Sequence, residues 1–320
     1  MAFRVHWLGR KWLPMATLTP ASRSEQSADA GTGGWGGDSR FLAVFVVLVA
    51  ALVAATRLPL APRYLHSFDA VNLALALEQF DPGLHQPQPP GYPLFVAEAR
   101  LLNFFLRSPE HTFLACSLLA ALAAPLLLFL LGRRMCSRRA GAAAALLLVL
   151  NPVFWHSTLA SPLRPYLAVV TTLVAWLCHR AAAGEARFAY YAAMALGLGG
   201  GWRPALVLLL APLWLACAWA SLGSFRRLAG AASLAAAAVL VWLVPMTLVV
   251  GGPGKLWRLI SGYLGEQSEA SSVVFGGGFW DWWATLSQAF VWEALAVVGW
   301  IWALPLALRG IANARRPPRL

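Results

Sequence analysis

Two side chains able to move a proton or contact an anion, Asp69 and His85, fall in one stretch that parts long apolar runs: RLPLAPRYLHSFDAVNLALALEQFDPGLHQPQPPGYPLFVAEARLLNFFLRSPEH, residues 57–111. Phe68, Val71, Leu75 and Leu77 or Glu78 recur at near-helical spacing, which predicts a helix with Ser67 as its N-cap. Asp69 sits in the first turn of that helix. An acid there either complements the helix dipole, worth about 0.3–1 kcal/mol, or acts as a general base at the membrane surface. Asp81-Pro82-Gly83 ends the helix. The segment His85 to Pro93, HQPQPPGYP, then places four prolines in nine residues. It predicts an extended, stiff elbow that hands over to a second helix from Leu94. His85 in that elbow is either solvated or a donor to a phosphate.

The elements that must hold these residues are apolar. Of 320 residues, 59% are hydrophobic and only 12% are charged, with a mean hydropathy of +0.64. A water-facing protein of this length cannot hide that much apolar surface, whereas a bilayer solvates it. The 16 Trp agree, because Trp favours the membrane interface. The net charge of +12 comes from short basic clusters between apolar runs, a topological signal rather than a nucleic-acid footprint. Candidate spans are 41–57, 112–131, 140–157, 162–178, 187–202, 204–222, 229–250 and 284–307. The fifth, ending in Gly199-Gly200-Gly201, is the weakest. Residues 91–106 are a ninth apolar run, but Glu98 and Arg100 at its centre would each cost about 2.5–3.5 kcal/mol at the bilayer midplane. That run is read as a helix lying along the interface.

Charge placement supports eight spans. With the N-terminus in the cytoplasm, the densest cluster, Arg133 to Arg139, and most of the other Lys and Arg fall inside. A ninth span at 91–106 would turn that cluster outward. The expected fold class is therefore an all-α polytopic membrane protein of about eight transmembrane helices, with juxtamembrane helices in the first outer loop. Residues 1–40 form a cytoplasmic tail, polar and Gly-rich over 21–39 and without a cleavable signal peptide. Residues 41–308 form the transmembrane domain, with outer loops at 58–111 and 251–283. Residues 309–320 form a basic cytoplasmic tail. The implied location is the inner (plasma) membrane, with both termini cytoplasmic.

Other residues offer less. Cys116, Cys136, Cys178 and Cys217 lie in or beside apolar runs without CxxC spacing, and read as small apolar fillers. Glu266 and Glu269 in the second outer loop are either further acids or solvated loop charges. Trp280, Trp282 and Trp283 suit an interfacial belt or a sugar-stacking surface. No HExxH, DxD or His pair at ligand spacing occurs, so no metal and no cofactor is expected.

Span 41–57, Phe68-Asp69, and His85-Gln86-Pro87-Gln88-Pro89-Pro90-Gly91-Tyr92-Pro93 together resemble the lipid-dependent C-type membrane glycosyltransferases. The likeness is to the protein mannosyltransferase and aminoarabinose transferase relatives of glycosyltransferase family 39. NPVFWHSTLASPLRPY (151–166) and GGGWRPALVLLLAPLWL (199–215) look similar to that group as well, and the likeness extends over roughly 41–300. Two features depart from the family pattern. Ala70 stands where many relatives carry a second acid, and relatives usually have more spans.

The resemblance implies a polyprenyl-phosphate-linked sugar donor and a single inverting displacement at the outer membrane face. Asp69 is the implied base by family position. Arg203 in GGGWRP is the foremost cation for the leaving phosphate, followed by Arg164, Lys255 and Arg258. Each of these cations also reads as a snorkelling residue that anchors a span. His85 and Tyr92 of the proline-rich motif are implied substrate contacts. Membrane lipids are the other partner, and no nucleic acid is expected. The rival readings are a lipid or small-solute transporter or flippase, and a non-catalytic membrane assembly subunit. The absence of a clear internal repeat, and the position of the charges at span ends, count against a transporter.

Overall fold

The computed structural model describes residues 35–65, 67–271 and scattered positions between 283 and 294. The chain divides into two units, Met1–Phe45 and Val46–Leu320. In the first, only the opening of helix α1 (Trp35–Arg57) is described, with Phe41 and Phe45 stacked one turn apart. Of the expected tail, residues 1–34 lie outside the described residues, and α1 opens at Trp35. The following account concerns the second unit.

Among the described residues the structure is helical, apart from one isolated bridge between Asp81 and Gln86. After α1 come α2 (Phe68–Glu78), α3 (Pro93–Leu106), α4 (Pro109–Met135), α5 (Arg138–Leu150) and α6 (Pro152–Ala160). Then follow α7 (Arg164–Ala182), α8 (Arg187–Gly199), α9 (Ala205–Leu222), α10 (Phe225–Val250) and α11 (Pro253–Ser271). Local chemistry sets several of the starts. Ser67, Ser108 and Ser137 cap α2, α4 and α5 by accepting from Ala70, His111 and Ala140 amides at 3.1, 3.3 and 3.1 Å. The Ser67 cap is the one expected from the sequence.

Among the described residues, four helical segments are long and apolar enough to cross a membrane: Ser39–Leu60, Pro109–Met135, Ala205–Leu222 and Phe225–Val250. A fifth would be α5 and α6 taken together, which are bent by 53° at their junction. The sequence predicted a single span over 140–157. It breaks because Asn151 turns its side chain to cap α6 through the Val153 and Phe154 amides, and Pro152 cannot continue α5's hydrogen bonds. The span expected at 162–178 falls in α7, and that at 187–202 in the 13-residue α8. The last, 284–307, lies almost wholly outside the described residues.

Large apolar side chains cover the outer faces of these helices. Leu208 and Leu209 on α9 are 79% and 72% exposed, and Leu248 on α10 is 73% exposed. In water, apolar surface costs about 25 cal/mol per Å², so such faces call for an apolar solvent. Inside, α7 to α9 share a core of Val174, Leu196 and Leu210, with Trp214 bonded to the Ala189 carbonyl. A second core joins α2, α3, α4 and α7 through Leu73, Phe95, Phe113 and Tyr166.

At the end of α1, Arg57 is fully buried. Its guanidinium donates to the Val149 carbonyl at 2.9 Å, to Thr158 at 3.2 Å and to Thr56 at 2.7 Å. Trp155 donates to the Thr56 carbonyl at 2.9 Å. The bend between α5 and α6 is therefore pinned to the end of α1. Cys116 and Cys178 are buried free thiols within the packing.

Candidate functional site

The helix that carries Asp69 is short, and a partner far along the sequence fixes it. Arg100 on α3 donates to the Ala76 carbonyl at 3.2 and 2.9 Å and to the Glu78 carbonyl at 3.4 Å. These are carbonyls that the end of α2 leaves without helical donors. Leu73 and Ala76 bury against α3, which leaves Asp69 exposed on the first turn.

The proline-rich segment is not the extended elbow that its composition predicts. Asp81 and Gln86 exchange backbone hydrogen bonds at 2.6 and 2.9 Å, and the Asp81 carboxylate accepts from the Gly83 amide at 2.9 Å. These bonds fold the chain back on itself. Pro87, Gln88, Pro89 and Gly91 are then buried as a compact turn. The Gln86–Pro87 and Pro89–Pro90 peptides are cis. Gly91 has φ +97°, and a β-carbon there would stand 3.1 Å from Pro82 and 3.2 Å from Met246, so only glycine fits. Among the described non-glycine residues, those with positive φ are His85, Tyr92 and Arg107. The first two bracket this turn and aim their side chains from a sparsely populated backbone region.

The second anchor is the turn between α8 and α9. The Gly201 carbonyl accepts from the Leu94 amide at 3.1 Å, at the start of α3. A β-carbon on Gly201 would lie 2.4 Å from Leu94 Cγ, so glycine is what lets the two backbones meet. One helical turn further along α3, the half-buried Glu98 carboxylate accepts from Trp202 Nε1 at 2.8 Å and from the Tyr166 hydroxyl. Tyr166 and Trp202 stack with ring centroids 6.1 Å apart and planes 14° apart. Hydrogen bonds to a charged group contribute roughly 1.5–3 kcal/mol each, which offsets the cost of carrying an acid in this apolar helix.

These two anchors bring exposed Asp69 and exposed Arg203 to the same place. Tyr92 and Tyr263 both lie within the fields of that acid and that cation. Burial pushes the Tyr92 phenol above its ordinary value; Arg203 opposes that shift, while Tyr263 and Asp69 add to it. The Tyr263 phenol is raised in the same sense, first by burial and then by Asp69, again against Arg203. The His85 ring meets Tyr263 edge-on, with centroids 6.0 Å apart. Asp69, His85, Tyr92 and Arg203 therefore share one locality, drawn from α2, the proline turn, the α3 cap and the α8–α9 turn.

Arg164 opens α7 with its side chain exposed, and Lys255 folds its chain over Gly251 at the end of α10. Arg258 and Glu266 are exposed on α11. Glu269 lies on that helix too, while Trp280 and Trp282 lie outside the described residues. A small cleft behind α2, beside Ala70, Glu110 and Thr158, does not include Asp69 in its lining.

Sequence reasoning missed Tyr263, because residues 251–283 were expected to be a loop, whereas α11 runs through Ser271. Leu256, Ile260 and Tyr263 at helical spacing were the available signal. It also missed the partnership of Glu98, Tyr166 and Trp202, for which no local pattern exists. No family model, no curated protein and no solved structure matches this chain.

Proposed function

We propose that this chain is a multi-pass protein of the inner (plasma) membrane and a glycosyltransferase, taking a sugar from a polyprenyl-phosphate donor to an acceptor at the outer face. In this reading eight helices cross the bilayer and both termini are cytoplasmic. The four apolar helices and the bent α5–α6 pair supply five passes, and α7, α8 and residues 284–307 supply the others. The exposed leucines of α9 and α10 support the lipid setting. The Arg133–Arg139 cluster supports the orientation.

One arrangement carries the chemistry: α3 ties the helix of the Asp69 carboxylate, through Arg100, and the turn of the Arg203 guanidinium, through Leu94, into one assembly. An inverting sugar transfer needs that pairing. The acceptor hydroxyl or amine attacks the anomeric carbon, and Asp69 takes its proton as the new bond forms. The bond from that carbon to the phosphate oxygen breaks with its electron pair, and the lipid phosphate leaves beside Arg203, whose donors stabilise the gathering charge. Tyr92, Tyr263 and His85 supply hydroxyl and imidazole groups to orient sugar or phosphate.

The test is transfer of labelled sugar from a polyprenyl-phosphate donor by protein reconstituted in liposomes. Asp69→Asn should insert normally and lose about 10²–10⁴-fold in rate, the usual contribution of a general base. An unchanged rate would end the catalytic reading. A transporter is the second reading, favoured by the 53° break between α5 and α6 beside the buried Arg57. It requires solute flux across those liposomes that survives Asp69→Asn and fails in Arg57→Ala.

A further inference from the structure

We propose that Glu98 is the positioning residue for Arg203: by holding Trp202 against α3 it fixes the direction of the guanidinium that follows. The inference rests on the reading of Arg203 as the cation of the site. Three observations carry it. The Glu98 carboxylate accepts from Trp202 Nε1 at 2.8 Å, so the residue immediately before Arg203 is tied by its side chain. The Leu94 amide holds Gly201, the residue before that, at 3.1 Å. Leu94 and Glu98 lie one turn apart on one face of α3, so that helix grips the turn at two adjacent points. The amides of Trp202 and Arg203 both return to the Gly199 carbonyl, at 3.2 and 3.1 Å, which makes the turn tight enough for a tether at Trp202 to govern its neighbour.

The Glu98 carboxylate is engaged within the packing rather than turned toward the site. Its two oxygens are taken by Trp202 and by Tyr166, and Tyr166 is held in turn by the Phe95 ring and the Trp202 stack. The tether resists the rotation of an exposed arginine about a glycine-rich turn, which would otherwise leave the guanidinium free to snorkel toward solvent or headgroups.

The experiment reads Arg203 through the two phenols it acts on, by ¹³C NMR titration of labelled tyrosine in detergent micelles, with Tyr92→Phe and Tyr263→Phe giving the assignments. Arg203→Gln should move both titrations upward, because the cation favours the tyrosinate. Glu98→Gln should move both in the same direction, by about half or more of that shift, as expected for residues acting as a unit. The sign separates the roles. A carboxylate acting directly on the phenols would disfavour the tyrosinate, so its neutralisation would lower the titrations instead. Trp202→Phe keeps an aromatic ring in the stack, removes the tethering N–H, and should reproduce Glu98→Gln. Tyr166→Phe leaves the Trp202 bond and should stay near the parent. If Glu98→Gln and Trp202→Phe titrate like the parent, or move downward, the positioning role is overturned. It is equally overturned if Arg203→Gln moves neither phenol. These titrations need no turnover. A protein that shows the expected shifts but transfers no sugar would sink the glycosyltransferase reading and leave the Glu98 role standing.

Discussion

The Leu94 amide donates to the Gly201 carbonyl at 3.1 Å, and the Leu94 side chain fills the space that a β-carbon on residue 201 would need. Gly201→Ala must therefore push α3 and the α8–α9 turn apart. Overpacking of this kind costs about 1–3 kcal/mol. Unfolding by denaturing detergent in mixed micelles should show that loss, and under the proposed function Gly201→Ala should also slow sugar transfer because the turn carries Arg203. Leu94→Ala alone should be destabilising as well. Combined with Gly201→Ala, it should cost less than the two losses added, since the collision partner is gone. Strict additivity would mean that the contact does not set the approach.

Arg100 closes the free end of α2 from another helix. Arg100→Ala removes a charged donor from backbone carbonyls, a loss of roughly 1–3 kcal/mol. Hydrogen exchange should speed up across residues 70–79 while the middle of α4 keeps its protection. Because Asp69 rides on α2, the proposed sugar transfer should slow as well. Unchanged exchange in α2 would show that burial of Leu73 and Ala76 suffices to hold it.

Arg57 tests how the broken helix pair is held. Arg57→Ala empties a fully buried site and leaves the Val149 carbonyl and Thr158 without their donor. The expected loss is about 2–4 kcal/mol. Arg57→Met fills most of the space without burying a charge and should recover a good part of it. A methionine variant as damaged as the alanine would show that the hydrogen bonds, rather than the filled volume, hold the bend.

Glu185 supplies the pH dependence. It accepts from Arg180 and Arg134 in the short turn between α7 and α8, and the hydrogen bond from Arg180, then the nearby Arg134 charge, hold its carboxyl below the ordinary 4.5. A depressed folded value means that the contribution is complete above the unfolded value and is lost as pH falls through the folded one. Glu185→Gln should therefore lower the thermal midpoint at pH 7, and its difference from the parent should close as pH drops below 4.5. The site lies at the surface, so the effect should be modest and should weaken with added salt. A difference that persists unchanged at low pH would assign the effect to packing.

Apolar composition and helical periodicity were enough to state that the chain is helical and that several of its helices can cross a bilayer, because burial in lipid acts on each segment by itself. Ser67 as a cap and Asp69 on the first turn were also legible, since capping involves residues a few positions apart. The tertiary structure decided the rest. Glu98 and Arg100 read as charges to be tolerated at an interface until Tyr166, Trp202 and the carbonyls of α2 arrived as their partners. The proline segment read as stiff and extended until the Asp81–Gln86 pairing closed it. Tyr263 entered the site only because α11 is a helix that brings its ring against His85. In each case the energy of a polar group is set by what it meets, and those partners lie too far along the chain for any local pattern to name them.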